Sequence, residues 1–334
     1  MQTDNGTLRV AISRDESADW RVCGLRQIER ITLALDHFAQ TAGRQVIINE
    51  DKGDADLALS TRVVLARNSV PEMLNGNPAA AKTLSSPADI PAAEKWLARD
   101  LGKAQDGWVA RHIDRRISTT MTRHLLRFGV RPLHATIGAF LFALAGCLVL
   151  LRGDYTSVFG GTVLFYAFSI LDGCDGEIAR ALYSDSPTGA RVDFIFDTIA
   201  NVLFVISLGF GLAADRGSTA LRWEGLATGL LIVGSELLLA TGAAKSDQVI
   251  VARHSGIYER HARMLGHSGA FIFGERAVRF VVQLTKRDVA WLAFVVLAAL
   301  NCAAWILHLS LVVAAATSAL GFIAIIRQRA ARQP

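Results

Sequence analysis

Apolar and polar positions follow one rhythm over the first third of this chain and another over the rest. Residues 7–13 predict a short strand. Residues 24–42 place Leu25, Ile28, Ile31, Leu35 and Phe38 at helical spacing, and 45–49 and 56–60 predict two further strands. Strand, helix and strand at these intervals describe a small α/β unit with parallel strands. Residues 85–93, rich in Ser, Pro and Ala, read as a linker. Residues 106–128 then predict a basic amphipathic helix. Val109, Ile113, Ile117, Met121 and Leu125 share one side, and Arg111, Arg115, Arg116 and Arg123 populate the rest. Such a helix lies in a membrane interface or packs, solvated, on the N-terminal domain; the spanning segment that follows at once favours the interface.

From Leu133 onward long apolar blocks alternate with short charged ones. Six blocks, at 133–151, 155–182, 189–214, 225–244, 289–307 and 309–326, each approach the ~20 residues that cross a hydrocarbon layer, with a tight turn at His308 between the last two. Charge orients them. Residues 245–287 carry Lys245, Arg253, Arg260, Arg263, Arg276, Arg279, Lys286 and Arg287, and the tail adds Arg327, Arg329 and Arg332. The opposite loops hold only Arg152, Arg216 and Arg222, so both termini are expected in the cytoplasm and the protein in the inner membrane. The fold class expected is therefore an all-α polytopic membrane domain of six transmembrane helices with an interfacial amphipathic helix, preceded by a small α/β cytoplasmic domain. Its boundaries fall at 1–90, 91–130 and 131–334.

Composition narrows the function. The 334 residues have a formal net charge of +5 and a positive mean hydropathy, which suits a membrane protein facing anionic lipid or phosphate-bearing substrates. A basic soluble nucleic-acid binder would not carry these apolar blocks. Cys23, Cys147, Cys174 and Cys302 are scattered without a Cys-x-x-Cys pair, which speaks against a zinc site or a disulfide framework. The first residues, Met-Gln-Thr-Asp-Asn-Gly, lack the basic-then-apolar pattern of a secretory signal.

Chemistry concentrates between the second and third blocks. Asp172 and Asp175 are three residues apart, and Asp193 and Asp197 four apart, so each pair shares a helix face. Ionisable residues near a membrane are functional suspects, and antiparallel helices joined by a short turn bring both pairs together. Four carboxylates so close require countercharge, and thiolate-free oxygen ligation suits Mg²⁺ or Mn²⁺. Two such ions are suited to clamp a pyrophosphate. Gly176 leaves room for a nucleotide, and Arg180 lies one turn further along, placed to pair with phosphate. A structural polar cluster or an ion path is the bland alternative.

Asp-x-x-Asp-Gly-x-x-Ala-Arg, eight residues, then Gly-x-x-x-Asp-x-x-x-Asp is the signature of the CDP-alcohol phosphotransferases, and residues 172–197 resemble it without a gap. The resemblance implies a six-span enzyme that transfers a phospho-alcohol group from a CDP-alcohol to a hydroxyl acceptor and releases CMP. It implies metal ligation by Asp172, Asp175, Asp193 and Asp197, with Asp197 also the general base. Gly176, Arg180, Ser186 and Gly189 would contact the CDP portion. Thr136 would do so too, although Pro132-Leu133-His134-Ala135-Thr136 departs from the family's Pro-Asn-x-x-Thr.

An α/β unit ahead of such a module is similar to the layout of bifunctional inositol-phosphate cytidylyltransferase/di-inositol-phosphate-phosphate synthases. A working nucleotidyltransferase needs a Gly-rich loop after its first strand, and residues 13–21 contain no glycine. The short domain therefore reads as a silent remnant or docking module. For the acceptor, a lipid or polyol phosphate, Glu236 and Asn201 are candidates, as are Arg191, Arg253, Arg276 and Arg287 for its phosphate. Besides donor, acceptor and membrane lipids, a second copy of the chain and a separate cytidylyltransferase are the partners to consider; nucleic acid is not. Two alternatives stand beside the leading reading: a CDP-diacylglycerol-dependent phosphatidyltransferase, and an inactive membrane scaffold that recruits a cytidylyltransferase.

Overall fold

The computed structural model describes residues 6–49, 55–102, 107–243 and 287–330. The chain forms two compact units: Met1–Asp106 with Arg115–Ala135 and Gly173–Ser186, and Gly107–Asp114 with Thr136–Asp172 and Pro187–Pro334.

In the first unit, β1 (Leu8–Ser13) lies between β4 (Val46–Asn49) and β5 (Leu57–Ser60), parallel to both, with Leu8 opposite Val46 and Val10 opposite Leu57. The three expected strands and their parallel pairing are present. Leu8, Val10 and Ile12 pack on Ile31, Leu35 and Phe38 of α1 (Gln27–Ala42), which stops at Gly43 in the left-handed region. α1 starts later than its apolar spacing predicts. β2 (Arg21–Val22) and β3 (Leu25–Arg26) precede it as a small hairpin. Its two turn residues, Cys23 and Gly24, both have positive φ, the demand of a two-residue hairpin turn.

Next come β6 (Val63–Leu65), α2 (Ser69–Leu74) and β7 (Ala81–Thr83), with β6 and β7 antiparallel. The expected linker is instead a helix start. Asp89 Oδ2 accepts the N–H groups of Ser85 (2.8 Å) and Ser86 (3.0 Å), a 3₁₀ turn spans Pro87–Asp89, and α3 (Ile90–Arg99) follows. Ser and Pro belong to helix caps as much as to linkers.

Residues 108–127 are helical without a break, although not α-helical throughout. A π turn over Ala110–Asp114 precedes α4 (Arg115–Arg127). α4 buries Ser118, Thr122 and Leu126, and Leu126 joins the core made by Ala93 and Leu97 of α3. Ile117 and Met121 stay exposed. The helix thus packs by the side of Ser118, Thr122 and Leu126; of the stripe expected to meet lipid, Ile113, Ile117 and Met121 are exposed, Val109 is buried and Leu125 packs partly on the same core as Leu126.

The second unit is helical: α5 (Pro132–Leu150), most of α6 (Tyr155–Ala181), α7 (Pro187–Arg216), α8 (Thr219–Ala243), α9 (Arg287–Ala299) and α10 (Ala303–Ala330). Its centre is aromatic, with the rings of Phe165, Phe204 and Trp291 4.5–4.9 Å apart. α7 and α8 approach at Gly209 and Gly225. A methyl added to Gly225 would lie 2.8 Å from the Val205 carbonyl oxygen, so only glycine permits this contact.

Among the described residues four helices are long and apolar enough to cross a membrane: α5, α6, α7 and Ala303–Ile323 of α10. The expectation of six is corrected accordingly. α8 carries Arg222, Glu224 and Glu236 over the part whose side chains are described. Among the described residues α9 has 13, about 20 Å of helix against a hydrocarbon layer of about 30 Å. The break between the last two helices falls at residues 300–302, where Asn301 has a φ of 58°. His308 lies inside α10, its Nδ1 2.6 Å from Glu224 Oε1. The basic stretch 245–286, including Arg253 and Arg276, lies outside the described residues.

Candidate active site

The apolar run of α6 reaches Leu171 and gives way to Asp172, and α7 starts on Pro187, a residue pre-set for a first helical turn. Asp193 and Asp197 stand one turn apart on α7. One carboxylate oxygen each from Asp172, Asp193 and Asp197 lies within 4.8 Å of the others. The second unit thus brings together three of the four signature aspartates. Asp175, 7 % exposed, belongs to the first unit, and its Oδ1 accepts the N–H of Gly176.

Three half-buried carboxylates at this distance repel one another unless a cation stands among them. Arg287, at the start of α9, supplies one. Its Nη1 donates to Asp197 Oδ2 and its Nη2 to Asp172 Oδ2 at 3.0 Å, while the guanidinium lies 5.6 Å from the ring centre of buried Phe168. Arg287, one of the cations expected to meet the acceptor phosphate, bonds two of the acids in this structure.

The donor set fits a hard divalent cation. It is all carboxylate oxygen, without thiolate or imidazole. One turn beyond Asp197, Asn201 adds a buried amide oxygen with no hydrogen-bond partner among the described residues.

The other expected residues fall in both units. In the second unit Thr136 is buried on α5, Glu236 is half-buried on α8, and Gly189 and Arg191 are exposed in the first turns of α7. In the first unit Ser186 is exposed just ahead of α7. A methyl on Gly176 would sit 3.2 Å from Arg180 Nη1, and Arg180 Nε donates to the Leu101 carbonyl at 2.8 Å.

Glu177 is a feature that apolar spacing alone does not reveal. Fully buried, it accepts from Arg115 Nη1 (2.6 Å), Ser118 Oγ (2.7 Å) and Thr122 Oγ1 (2.7 Å). The signal was available: Arg115, Ser118 and Thr122 recur at helical spacing and form a polar stripe on α4. Glu94 plays a similar part nearby, taking the Cys23 N–H (3.2 Å) and Arg127 Nη2 (2.6 Å).

No protein-family model matches the chain. It is distantly similar to several named enzymes. A bifunctional IPC transferase and DIPP synthase of Rubrobacter xylanophilus is 36% identical over 149 residues, 45% of this chain and 33% of that relative. A phosphatidylinositol phosphate synthase of Streptomyces avermitilis is 25% identical over 198 residues, 57% of this chain and 78% of the relative. An archaetidylinositol phosphate synthase of Methanothermobacter thermautotrophicus is 27% identical over 132 residues, 40% and 61% of the two chains. The chain spans about a third of the length of the bifunctional relatives it matches.

Proposed function

We propose that the protein transfers a phospho-alcohol group from a CDP-alcohol to a hydroxyl acceptor at the cytoplasmic membrane face and releases CMP. The observation that carries this reading is the convergence of Asp172, Asp193 and Asp197, from consecutive helices of one signature, into a group with the donor chemistry of a divalent-metal site. The names of the relatives, an IPC transferase and DIPP synthase, a phosphatidylinositol phosphate synthase and an archaetidylinositol phosphate synthase, support the same class of reaction.

Asp172, Asp193, Asp197 and Asp175 would hold Mg²⁺ or Mn²⁺, two ions in all. Bound there, the metal would polarise the phosphoryl oxygens and offset the charge gathering on departing CMP. Asp197 takes the acceptor hydroxyl's proton as the new oxygen–phosphorus bond forms and the bond to CMP breaks. Gly176 leaves the backbone open to the nucleotide, and Arg180, Ser186, Gly189 and Thr136 hold the CDP portion. Glu236 receives hydroxyls of the acceptor. The exposed Ile117 and Met121 beside Arg116 and Arg123 support an interfacial position for α4. The N-terminal α/β region is a silent nucleotidyltransferase-like remnant or a docking module.

A second reading, a phosphatidyl group as the transferred unit, is favoured by the similarity that spans 78% of a phosphatidylinositol phosphate synthase. Radiolabelled CDP-inositol and CDP-diacylglycerol, offered separately with Mg²⁺ to purified protein, distinguish the two by which label appears in product. CMP release from neither would leave the scaffold reading in possession.

A further inference from the structure

The first half of the signature, Asp-x-x-Asp-Gly-x-x-Ala-Arg, leaves four positions open, and in this chain all four turn toward α4. Gly173 has the Arg115 guanidinium against it: a methyl there would lie 3.3 Å from Nη1. Cys174 donates from Sγ to the Ser118 carbonyl at 3.6 Å. Glu177 accepts from Arg115, Ser118 and Thr122, and Ile178 is buried in the core that holds Leu126. All of these residues belong to the first unit.

Apolar contact alone can hold two such helices together, so a carboxylate at position 177 calls for a reason. Glu177 is fully buried, and the Arg115 side chain is only 18 % exposed. Burying a charged pair costs desolvation that apolar residues of the same volume avoid; a single fixed geometry is what such a pair can supply in return. Here that geometry lies beside the signature. Gly173, Gly176 and Arg180 follow one another at helical spacing and line one side of α6. The Arg115 guanidinium stands against the first of them, held at Nη1 by Glu177.

We propose that Glu177 is a positioning residue for the nucleotide side of the reaction. Through its charged hydrogen bond it fixes the Arg115 guanidinium at Gly173, on the edge of the strip of α6 that carries Gly176 and Arg180. The inference rests on the reading that gives Gly176 and Arg180 to the CDP portion. Glu94 provides a matched comparison. It is another buried carboxylate paired with an arginine of α4, but it sits on α3 and bonds Arg127, at the opposite end of α4 from Arg115.

Equilibrium dialysis of the full chain in detergent, with Mg²⁺ and radiolabelled CMP, tests this. Glu177→Gln removes the charge and keeps the shape. CMP affinity should fall roughly tenfold, the low end of what a charged hydrogen bond is worth, because the effect passes through Arg115. Arg115→Lys keeps the positive charge without the planar fork and should weaken CMP to a similar extent; it decides the matter if Glu177→Gln does not fold. Glu94→Gln breaks the same kind of pair at the far end of α4 and should bind CMP within about twofold of the wild type. Wild-type affinity in either Glu177→Gln or Arg115→Lys overturns the proposal. Equal weakening in Glu94→Gln also overturns it, since the cause would then be a loosened helix. A wild type that fails to bind CMP would overturn the nucleotide reading itself, and this role with it.

Discussion

Asp197 is the residue on which the proposed chemistry turns, because it would serve the metal and the proton together. Asp197→Asn keeps the shape and removes the charge. CMP release should fall by ~10²-fold or more, as for loss of a general base; turnover like the wild type's would remove Asp197 from that role. Arg287 offers a separate reading of the same site. Arg287→Met leaves Asp172 and Asp197 without the cation that now bridges them. Melting in EDTA should drop, with a loss on the order of 1–2 kcal/mol for this partly exposed pair. Added Mn²⁺ should restore more stability to the variant than to the wild type, and identical melting curves would refute the counterion role. Asp15 predicts a pH effect. The Ser17 hydroxyl, Arg62, the Ser17 N–H (2.9 Å) and Thr61 hold its carboxyl well below the usual carboxylate range. A carboxyl lowered on folding contributes stability that is present above its unfolded value, near 4, and lost as pH falls toward its folded value. Asp15→Asn should therefore lose less stability than the wild type between about pH 7 and pH 3, followed by proteolysis of the N-terminal region. Parallel loss in both would sink this account.

At the scale of elements, α4 is held to the end of α6 by a polar clasp. Glu177 is fully buried, so each donor it loses leaves part of a carboxylate unsatisfied. Thr122→Val, nearly isosteric, should cost about 1–2 kcal/mol and raise hydrogen exchange along α4; unchanged exchange would mean the clasp is redundant. Local rules described many of these elements well. Short apolar runs at 7–13, 45–49 and 56–60 predicted β1, β4 and β5, and apolar length predicted α5, α6 and α7. They did worse where one composition suits two structures. Ser and Pro at 85–93 cap α3 rather than link domains, and Gly24 turns a hairpin rather than opening α1. The apolar stripe of α4 was legible, yet the side that packs is that of Ser118, Thr122 and Leu126. Which side of a helix is covered depends on a partner far away in the chain.

For the molecule as a whole, the positive-inside pattern leads us to place both termini in the cytoplasm. Single cysteines introduced at positions 2 and 332, in a background lacking Cys302, should resist a membrane-impermeant maleimide in intact cells and label after lysis. Labelling of either in intact cells would reverse the orientation. The distant similarity to named transferases and synthases bears on reaction class, and the donor experiment addresses the substrate directly.

The sequence by itself determined which residues are acidic, how they are spaced by helical turns, and that α5 to α7 are apolar enough to cross a membrane. Those properties are local: a 3.6-residue period and a run of apolar side chains need no distant partner. Only the tertiary structure decided that Asp172 meets Asp193 and Asp197, that Arg287 is their cation, and that Glu177 anchors α4. It also decided that α9 stops at Ala299 and that Asn301 takes a positive φ between α9 and α10. Each of these joins residues far apart in the chain or depends on how helices pack, and spacing along one helix carries no record of which face another will meet.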